Sequence, residues 1–435
     1  MGGSQERKNM FEINDKNEII REQVTQAILV GVSFDEDISA SMDELCGLAE
    51  AAGAEVLGEM VQPRERPDKA TYIGKGKVEE LAEMCRNMEA NTVIFNNELS
   101  GAQLRNLEDA VGVTILDRTI LILDIFADRA SSAEGRLQVE LAQLQYRLPR
   151  LLGFGKSLSR TGGGIGTRGP GEKKLEIDRR HIQSRMDEIR KEIKEVQKSR
   201  DVRRSRREKS EIPVVALVGY TNAGKSALMN ALLRRNEKEE KSVFEKNMLF
   251  ATLDVSQRNI RLDTNREFIL IDTVGFVSKL PHSLVEAFKG TLEEVLYADL
   301  LVEVVDASSK DCEFNMNVTA DVLKEIGAGD IPHITAFNKM DLIEDAEKLP
   351  FARGKTVYIS AKRQEGIDRL IEEISGVIYA DMRKASMVIP YDQGQISSYL
   401  CEKCKVHKME YQNEGTYFEA ELTAADYNRL EKYFV

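Results

Sequence analysis

The chain has 435 residues, a length at which about three domains are expected. Its hydrophobic content of 42% is sufficient for packed cores, and no apolar run approaches the ~20 residues of a membrane-spanning helix. Its five cysteines are scattered, which is typical of reduced thiols in a cytosol and not of a disulfide framework. We therefore expect a globular cytoplasmic protein without a secretion signal or a membrane span.

The first part of the chain alternates strand-like and helix-like segments. Residues 1–25 are polar, and we expect them to form a flexible N-terminus. Between residues 26 and 130 the alternation predicts a small α/β domain with a parallel sheet. The expected strands are Ala27–Val32, Glu55–Val61, Thr92–Phe95 and Thr114–Leu116. The expected helices are Asp43–Ala51, Val78–Met88 and Gly101–Ala110.

Two heptad patterns follow this domain. One extends from Leu137 to Leu151 and the other from Leu175 to Val196. Two such helices predict an antiparallel helical hairpin over residues 131–210. Residues 147–210 contain 20 Lys or Arg against 9 Asp or Glu, whereas the whole chain has a net charge of −12. A basic element on an acidic protein favours a polyanionic partner. A solvated charged helix face is the alternative.

The tip of the hairpin, residues 153–171, is rich in glycine and basic residues. Glycines allow a backbone to approach a crowded surface, and basic side chains can pair with the phosphates of folded RNA. We therefore predict an RNA-binding tip, and a disordered linker is the alternative. The residues expected to contact RNA are Lys156, Arg160, Gly163, Gly164 and Arg168.

Residues 219–226 form a complete phosphate-binding loop, G-x-x-x-x-G-K-S, between a strand-like segment and a helix-like one. The glycines let backbone N–H groups surround phosphate oxygens, and the helix start adds its positive dipole end. Lys225 is expected to reach the β- and γ-phosphates, and Ser226 to offer a hydroxyl to Mg²⁺. The residues of the loop that we expect to bind the nucleotide are Gly219, Tyr220, Thr221, Asn222, Ala223, Gly224, Lys225 and Ser226.

An N-K-x-D motif at residues 338–341 indicates which nucleotide binds. The Asp341 carboxylate can accept two parallel N–H bonds, a pair that guanine offers and adenine does not. Asn338 can bond the far side of the base, and the stem of Lys339 can lie along its face. An S-A-K motif follows, in which a backbone N–H is expected to meet the guanine O6. It consists of Ser360, Ala361 and Lys362.

Two further segments are expected to sense the γ-phosphate, as in switches whose loops order around Mg²⁺ and γ-phosphate. Asp272 would hold Mg²⁺ through water, and the Gly275 N–H would contact the γ-phosphate. Thr252 is expected to supply a second Mg²⁺ hydroxyl, and an ordinary loop threonine is the alternative. We assign catalytic roles to Lys225, Thr252 and Gly275. The other residues of these segments that we expect near the nucleotide are Phe250, Ala251, Thr273 and Val274.

Phe276 occupies the position directly after the D-x-x-G motif, where many GTPases carry a Gln that orients the attacking water. A phenyl ring cannot hydrogen-bond water. We therefore expect slow intrinsic hydrolysis that a partner accelerates.

The C-terminal part, residues 383–435, predicts a small α+β domain after a GTPase domain at residues 211–382. Cys401 and Cys404, with His407 beyond, suggest a metal site at first sight. The predicted helix Gln395–Lys405 places both cysteines on one face, and a tetrahedral zinc site needs four ligands. A structural role is the favoured interpretation.

Together these motifs resemble the HflX family of ribosome-associated GTPases over nearly the whole chain. The resemblance is carried by residues 71–78, 162–172, 219–226, 250–254 and 272–276. It implies an α/β multidomain fold with an N-terminal α/β domain, a helical hairpin, a Ras-like GTPase domain and a small C-terminal domain. It also implies that the tip binds the large ribosomal subunit near the peptidyl-transferase centre, and that the protein splits or rescues stalled ribosomes.

The resemblance implies K⁺ binding with help from Asn222, besides GTP and Mg²⁺. Some members of the family bind ATP through the N-terminal domain, but we find no motif here that supports it. Two alternatives stay open. One is a GTPase that acts on another RNA, such as an rRNA precursor or a tRNA. The other is a GTP-gated ribosome-binding module whose hydrolysis is incidental. We expect the chain to act as a monomer.

Overall fold

The structure is a computed structural model that describes residues 25–158, 170–208, 212–235, 250, 256–262, 266–278, 293–343 and 354–435. Within these ranges no helix is both long and apolar enough to cross a membrane. The described residues form three sheets and a pair of long helices. The predicted α/β multidomain fold is confirmed. The predicted domain limits at residues 25, 130, 210 and 382 stay a prediction.

The first sheet contains four parallel strands, as the sequence predicts. The strands are β1 (Thr25–Ser33), β2 (Ala54–Pro63), β3 (Thr92–Phe95) and β4 (Thr114–Asp117), in the order β2-β1-β3-β4. The helices are α1 (Ser39–Ala51), α2 (Lys75–Met88), α3 (Gly101–Val111) and α4 (Arg118–Arg129). Alternate residues of β1 enter two cores, with Leu29 on one face and Ile28 and Val30 on the other. Burial on both faces explains why β1 has an unbroken apolar sequence.

Helix α4 is an element that the sequence pattern does not predict. Leu121, Ile122, Leu123, Ile125 and Phe126 are all buried. The exposed side of the helix is short, around Asp124 and Asp128, and the unbroken apolar run 120–123 hides the helical period. This helix packs on β3 and β4, and its Phe126 ring contacts Phe250 of the site described below.

The two heptad segments form the long helices α5 (Ala133–Leu158) and α6 (Pro170–Glu208), which confirms the predicted hairpin. They pack through one apolar seam, which consists of Leu137, Leu141, Leu144, Leu148, Ile182, Met186, Ile189 and Ile193. Beside the seam, Arg185 on α6 donates two hydrogen bonds to Glu140 on α5, at 2.8 and 3.0 Å.

The second sheet has six strands and carries the phosphate-loop motif. Its strands are β5 (Val214–Val218), β6 (Ser256–Arg261), β7 (Glu267–Asp272), β8 (Leu300–Asp306), β9 (His333–Asn338) and β10 (Lys355–Tyr358). Its helices are α7 (Lys225–Arg235), α8 (Cys312–Glu325) and α9 (Ile367–Ile378). The order is β10-β9-β8-β5-β7-β6, and only β6 is antiparallel to its neighbour. The carboxyl ends of the parallel strands therefore meet at one edge, where ligands bind in sheets of this kind.

The third sheet is antiparallel, with strands β11 (Arg383–Ile389), β12 (Lys405–Gln412) and β13 (Gly415–Leu422) in the order β11-β13-β12. Helices α10 (Gly394–Lys403) and α11 (Ala424–Leu430) accompany it, so the predicted α+β character is confirmed. Helix α10 ends two residues before the predicted Lys405, because β12 begins there. Arg266, just before β7, pairs with Glu421 of β13 and lies over the Tyr379 ring at 4.6 Å.

Candidate functional site

The phosphate-loop motif connects the end of β5 to the start of α7, as predicted. Gly219 has φ +138°, and a Cβ there would lie 2.3 Å from the Val304 carbonyl oxygen. Gly224 has φ +96°, and a Cβ there would lie 2.3 Å from Asn338 Nδ2. Glycine alone fits these left-handed and crowded positions without displacing its neighbours. The glycine spacing of the motif is thus required by packing against β8 and β9.

Lys225 is buried beneath this loop. Its Nζ donates to the carbonyl oxygens of Gly219 at 2.9 Å and Tyr220 at 2.8 Å. Burial lowers the pKa of Lys225 to about 8, while the nearby Asp272 carboxylate acts in the opposite direction. An ammonium group has three N–H donors, so two of them fix the loop and the third can meet a phosphate oxygen.

Ser226 and Asp272 lie side by side, since the Ser226 hydroxyl donates to Asp272 Oδ2 at 2.7 Å. A hydroxyl next to a carboxylate is an oxygen donor set that suits Mg²⁺, so these two predicted metal residues fit the ion. Thr273 behaves differently, because its buried hydroxyl donates to the Leu217 carbonyl at 2.6 Å and joins β7 to β5. The Thr273 side chain is therefore used by the fold, which leaves its backbone for the predicted nucleotide contact.

Gly275 lies against the phosphate loop. A Cβ on Gly275 would lie 2.7 Å from Thr221 Cα and 3.1 Å from Lys225 Nζ. The two segments are also hydrogen-bonded, because the Thr221 N–H donates to the Phe276 carbonyl at 2.7 Å and the Phe276 N–H to the Gly219 carbonyl at 3.2 Å. The D-x-x-G motif thus ends directly above the phosphate loop, where the sequence predicts γ-phosphate sensing.

The ring of Phe276 points away from this surface and into the protein. It is only 2% exposed and packs with Ala216, Val218, Ile271 and Val295 on one face of the second sheet. A side chain in this position anchors the end of the D-x-x-G motif and cannot reach a water molecule at the phosphates.

Asn338 connects three loops at the base-recognition end. Its Nδ2 donates to the Ala223 carbonyl at 2.9 Å, and its Oδ1 accepts from the Ala361 N–H at 3.0 Å. The motifs predict that Asn338 and a backbone N–H of the S-A-K motif contact the base, but in this structure Asn338 and the Ala361 N–H bond to protein groups. A guanine would have to share these groups or take them over. Lys339 has φ +64° and pairs with Asp306 at 2.7 Å, which holds the lysine at the motif.

Asp341 is oriented by the S-A-K motif. The Ser360 hydroxyl donates to Asp341 Oδ1 at 2.7 Å, and Ser360 Oγ itself accepts from the Arg363 N–H at 3.1 Å. The hydrogen bond from Ser360 is the main cause of a lowered pKa of Asp341, and Arg363 and Lys362 act in the same direction. Asp341 is therefore a fixed carboxylate acceptor, as the prediction of guanine binding requires.

The other predicted residues are only partly described. Phe250 is buried, its N–H donates to Thr221 Oγ1 at 2.9 Å, and its ring lies 4.6 Å from that of Phe126. Val274 is buried in the same core as Phe250, while Asn222 is exposed with φ +59°. The predicted residues Ala251, Thr252, Arg160, Gly163, Gly164 and Arg168 lie outside the described residues. Lys156 belongs to α5, but its side chain is outside the description.

In the described part of the chain, no three His, Cys, Asp or Glu side chains gather as a metal site. Cys404 is buried beside β12, and His407 Nε2 lies 2.8 Å from Glu421 Oε1. The favoured structural interpretation of this segment is consistent with these contacts.

Sequence reasoning missed four residues around the site. Asp306 holds Lys339, as described above. Glu44 and Ser278 contact the hydroxyl of Tyr220, and Arg118 donates to both of them. Glu44 precedes Tyr220 by 176 residues in the chain, so no local pattern could indicate the contact.

Four regions of the chain match known protein families. Residues 39–127 match a family described as "GTP-binding GTPase N-terminal", and residues 129–207 match "GTP-binding GTPase Middle Region". Residues 214–339 match "50S ribosome-binding GTPase", and residues 346–434 match "HflX C-terminal domain". The matches follow one another along almost the whole chain.

Curated relatives are similar over their full length. "GTPase HflX" of Caldanaerobacter subterraneus subsp. tengcongensis is 48% identical, with 97% of each chain covered. "GTPase HflX" of Escherichia coli is 38% identical, with 94% of this chain and 96% of the relative covered. A solved GTP-binding protein of Sulfolobus solfataricus in complex with GDP is 24% identical, with 81% of this chain and 98% of that chain covered. Its TM-score is 0.43, which is too low to support an argument.

The first prediction concerns base recognition. Asp341→Asn replaces an acceptor-only carboxylate by an amide, so GTP affinity should fall by about 3 kcal/mol, the scale of a lost charge-assisted bidentate contact. Xanthosine triphosphate should bind better, because its 2-oxo group accepts from the amide. Both affinities can be measured by calorimetry. Asp306→Asn breaks the pair with Lys339 and should leave the base preference unchanged. An Asp341→Asn protein with unaltered GTP affinity would refute the assignment.

The second prediction concerns pH. Burial gives Lys225 a pKa of about 8, and bound phosphates should raise it because they favour the charged form. Nucleotide binding above pH 8 must therefore take up a proton. The affinity for GDP should fall as pH rises from 7 to 9, with a limiting slope of about tenfold per unit. Calorimetry in two buffers of different ionisation enthalpy measures the proton uptake, and circular dichroism checks the fold. A pH-independent affinity would contradict this prediction.

Proposed function

The chain belongs to the HflX family of GTPases, and on that premise we propose that it is a GTP-dependent switch that binds the large ribosomal subunit and splits or rescues stalled ribosomes. It binds GTP and hydrolyses it to GDP and phosphate. The observation that carries the proposal is the combination of a complete GTPase site with a long, basic helical hairpin in one chain. We further propose that it acts as a monomer in the cytoplasm.

The geometry of the described residues supports the roles proposed for Lys225, Gly275, Ser226 and Asp272, and those of Thr252 and Asn222 rest on the sequence. Lys225, held by two carbonyls, would direct its remaining donor to the β- and γ-phosphates, and the Gly275 N–H would face the γ-phosphate. Ser226 and, through water, Asp272 would hold Mg²⁺, with Thr252 as a further hydroxyl ligand. The ion would neutralise charge that develops on the phosphate oxygens. Asn222 would help to hold K⁺.

Phe276 supports dependence on a partner. Its ring is packed inside the second sheet, so it neither orients the attacking water nor approaches the phosphates. The chain alone should therefore hydrolyse GTP slowly, and the ribosome would have to complete the site. This expectation agrees with a switch whose turnover occurs only on its target.

The hairpin supports a ribosomal target through its reach. An α-helix rises 1.5 Å per residue, so the 39 residues of α6 span roughly 60 Å. The seam between α5 and α6 makes the pair stiff. Folded RNA is recognised by shape and phosphate contacts, and a basic tip on a stiff arm is suited to that task.

The arm is anchored to the first sheet through a buried carboxylate. Asp117 at the end of β4 accepts from the Tyr146 hydroxyl at 2.5 Å and from Arg150 at 2.7 Å, both on α5. Arg150 also donates to the Leu99 carbonyl at 2.8 Å. These three residues, here called the Asp117 cluster, fix the direction in which the arm leaves the protein.

A GTP-gated binding module is the second candidate, and the buried Phe276 favours it too, because slow hydrolysis suits a protein that works by binding alone. A GTPase for another RNA remains the third. The three differ in what the chain binds and in whether GTP hydrolysis is needed. Co-sedimentation with ribosomes and separated subunits, in GTP, GDP and a non-hydrolysable analogue, distinguishes them.

The third prediction uses this assay. With Lys156, Arg160 and Arg168 replaced by Ala, binding to large subunits should weaken at least tenfold and lose part of its salt dependence, because fewer phosphates are neutralised. GTP affinity should not change. The matched control replaces Lys191, Lys194 and Lys198, which are exposed on α6, and removes the same charge. If the two triple variants weaken binding to large subunits equally, the tip contributes only its net charge and makes no specific contact. Unaltered binding would reject the role of the tip.

A further inference from the structure

A cluster of four polar residues joins the helices of the first sheet to the phosphate loop. Glu44 lies on α1, Arg118 begins α4, Tyr220 is in the loop, and Ser278 follows the D-x-x-G motif. The Glu44 carboxylate accepts hydrogen bonds from the Tyr220 hydroxyl, from the Arg118 guanidinium and from the Ser278 hydroxyl, the last at 2.5 Å. We call these residues the Glu44 cluster.

Further bonds close the cluster into a ring. The Ser278 N–H donates to the Tyr220 hydroxyl oxygen at 2.7 Å, and Arg118 donates to the Ser278 Oγ and carbonyl oxygen at 3.2 and 3.3 Å. Burial, followed by the Glu44 carboxylate, raises the pKa of Tyr220 well above its usual value. The hydroxyl therefore remains a donor, and Ser278 is held by both its main chain and its side chain.

Two residues of the cluster, Arg118 and Glu44, are held by the elements around the first sheet. The Arg118 side chain is 3% exposed and also donates to Asn96 Oδ1 at 3.0 Å, just after β3. The Glu44 side chain is 11% exposed. Polar contacts in such a position are stronger than in water, and removing one partner leaves the others unsatisfied. The cluster can therefore restrain the two segments that it holds.

Those two segments are the ones that must be aligned for GTP hydrolysis. The Tyr220 carbonyl accepts from Lys225 Nζ, and Ser278 lies three residues after Gly275. Phe250, Val274 and Val277 pack in the same core as residues of α1 and α4, so apolar contacts surround the polar ring. A displacement of about 1 Å at a reacting group can lower a rate a hundredfold.

We propose that Glu44 and Arg118 are positioning residues for GTP hydrolysis, which hold Tyr220 and Ser278 so that the phosphate loop and Gly275 keep the spacing that the γ-phosphate needs. They act through Tyr220 and Ser278 and do not touch the nucleotide. The GTPase site is then complete only with the first sheet's helices in place. The proposal concerns hydrolysis itself and stands apart from the choice of ribosomal partner.

The test is single-turnover GTP hydrolysis by the full chain, together with the affinity for a fluorescent GDP analogue. Glu44→Gln should lower the hydrolysis rate at least about tenfold and change the GDP affinity less than about threefold, because the GDP contacts stay in place. Ser278→Ala, a small change with little risk to folding, should act in the same way. The double variant should be no slower than the slower single variant, since both changes open one ring.

Asp117→Asn is the matched control. Asp117, like Glu44, is a carboxylate that accepts from a tyrosine and an arginine, but its tyrosine and arginine lie on the arm. Melting temperatures show whether each variant folds. If Asp117→Asn slows hydrolysis as much as Glu44→Gln, the effect is general destabilisation and the proposal fails. The proposal also fails if Ser278→Ala keeps the wild-type rate. It fails as well if either Glu44→Gln or Ser278→Ala accelerates hydrolysis, because the cluster would then inhibit the site instead of ordering it.

Discussion

The close approach of two backbone segments is the constraint on which the rest of the structure depends. Gly275 lies so near Thr221 that a single added carbon would be 2.7 Å from the Thr221 Cα. Two backbone hydrogen bonds, between Thr221 and Phe276 and between Phe276 and Gly219, hold this distance. The buried Phe276 ring, the paired Lys225 and the contact between Ser226 and Asp272 all lie next to this approach. A γ-phosphate placed there would meet both segments at once.

The first sheet connects this constraint to the helical arm. Asp117, the last residue of β4, accepts hydrogen bonds from Tyr146 and Arg150 of the arm. The next residue, Arg118, donates hydrogen bonds to Ser278 of the GTPase site. Neighbouring residues in the chain thus hold the two functional ends of the protein. A movement of the arm and a movement of the D-x-x-G motif would therefore both act on the end of β4. Each of the two arginines also pairs with a carboxylate, Arg150 with Asp117 and Arg118 with Glu44.

The sequence predicts those parts of the site that short motifs define. The phosphate loop, the position of Asp272 and the acceptor role of Asp341 depend on residues that are close in the chain or at the ends of adjacent strands. Helix α4 begins with an apolar run, residues 120–123, that hides its helical period, so the pattern misses it. No local pattern encodes contacts between residues that are distant in the chain. The hydrogen bonds of Asn338 and Thr273 to other protein groups, and the contact between Glu44 and Tyr220, are of this kind.

We propose that the described residues of the site supply the nucleotide-binding groups, that Phe276 cannot position water, and that the large ribosomal subunit supplies the group that does. The most direct measurement is the single-turnover rate of GTP hydrolysis with and without purified large subunits, in wild type and in Lys225→Ala. The account predicts slow hydrolysis alone, a rate at least about a hundredfold higher with large subunits, as for partner-activated GTPases, and none in Lys225→Ala. Fast hydrolysis without subunits, unaltered when they are added, would contradict it.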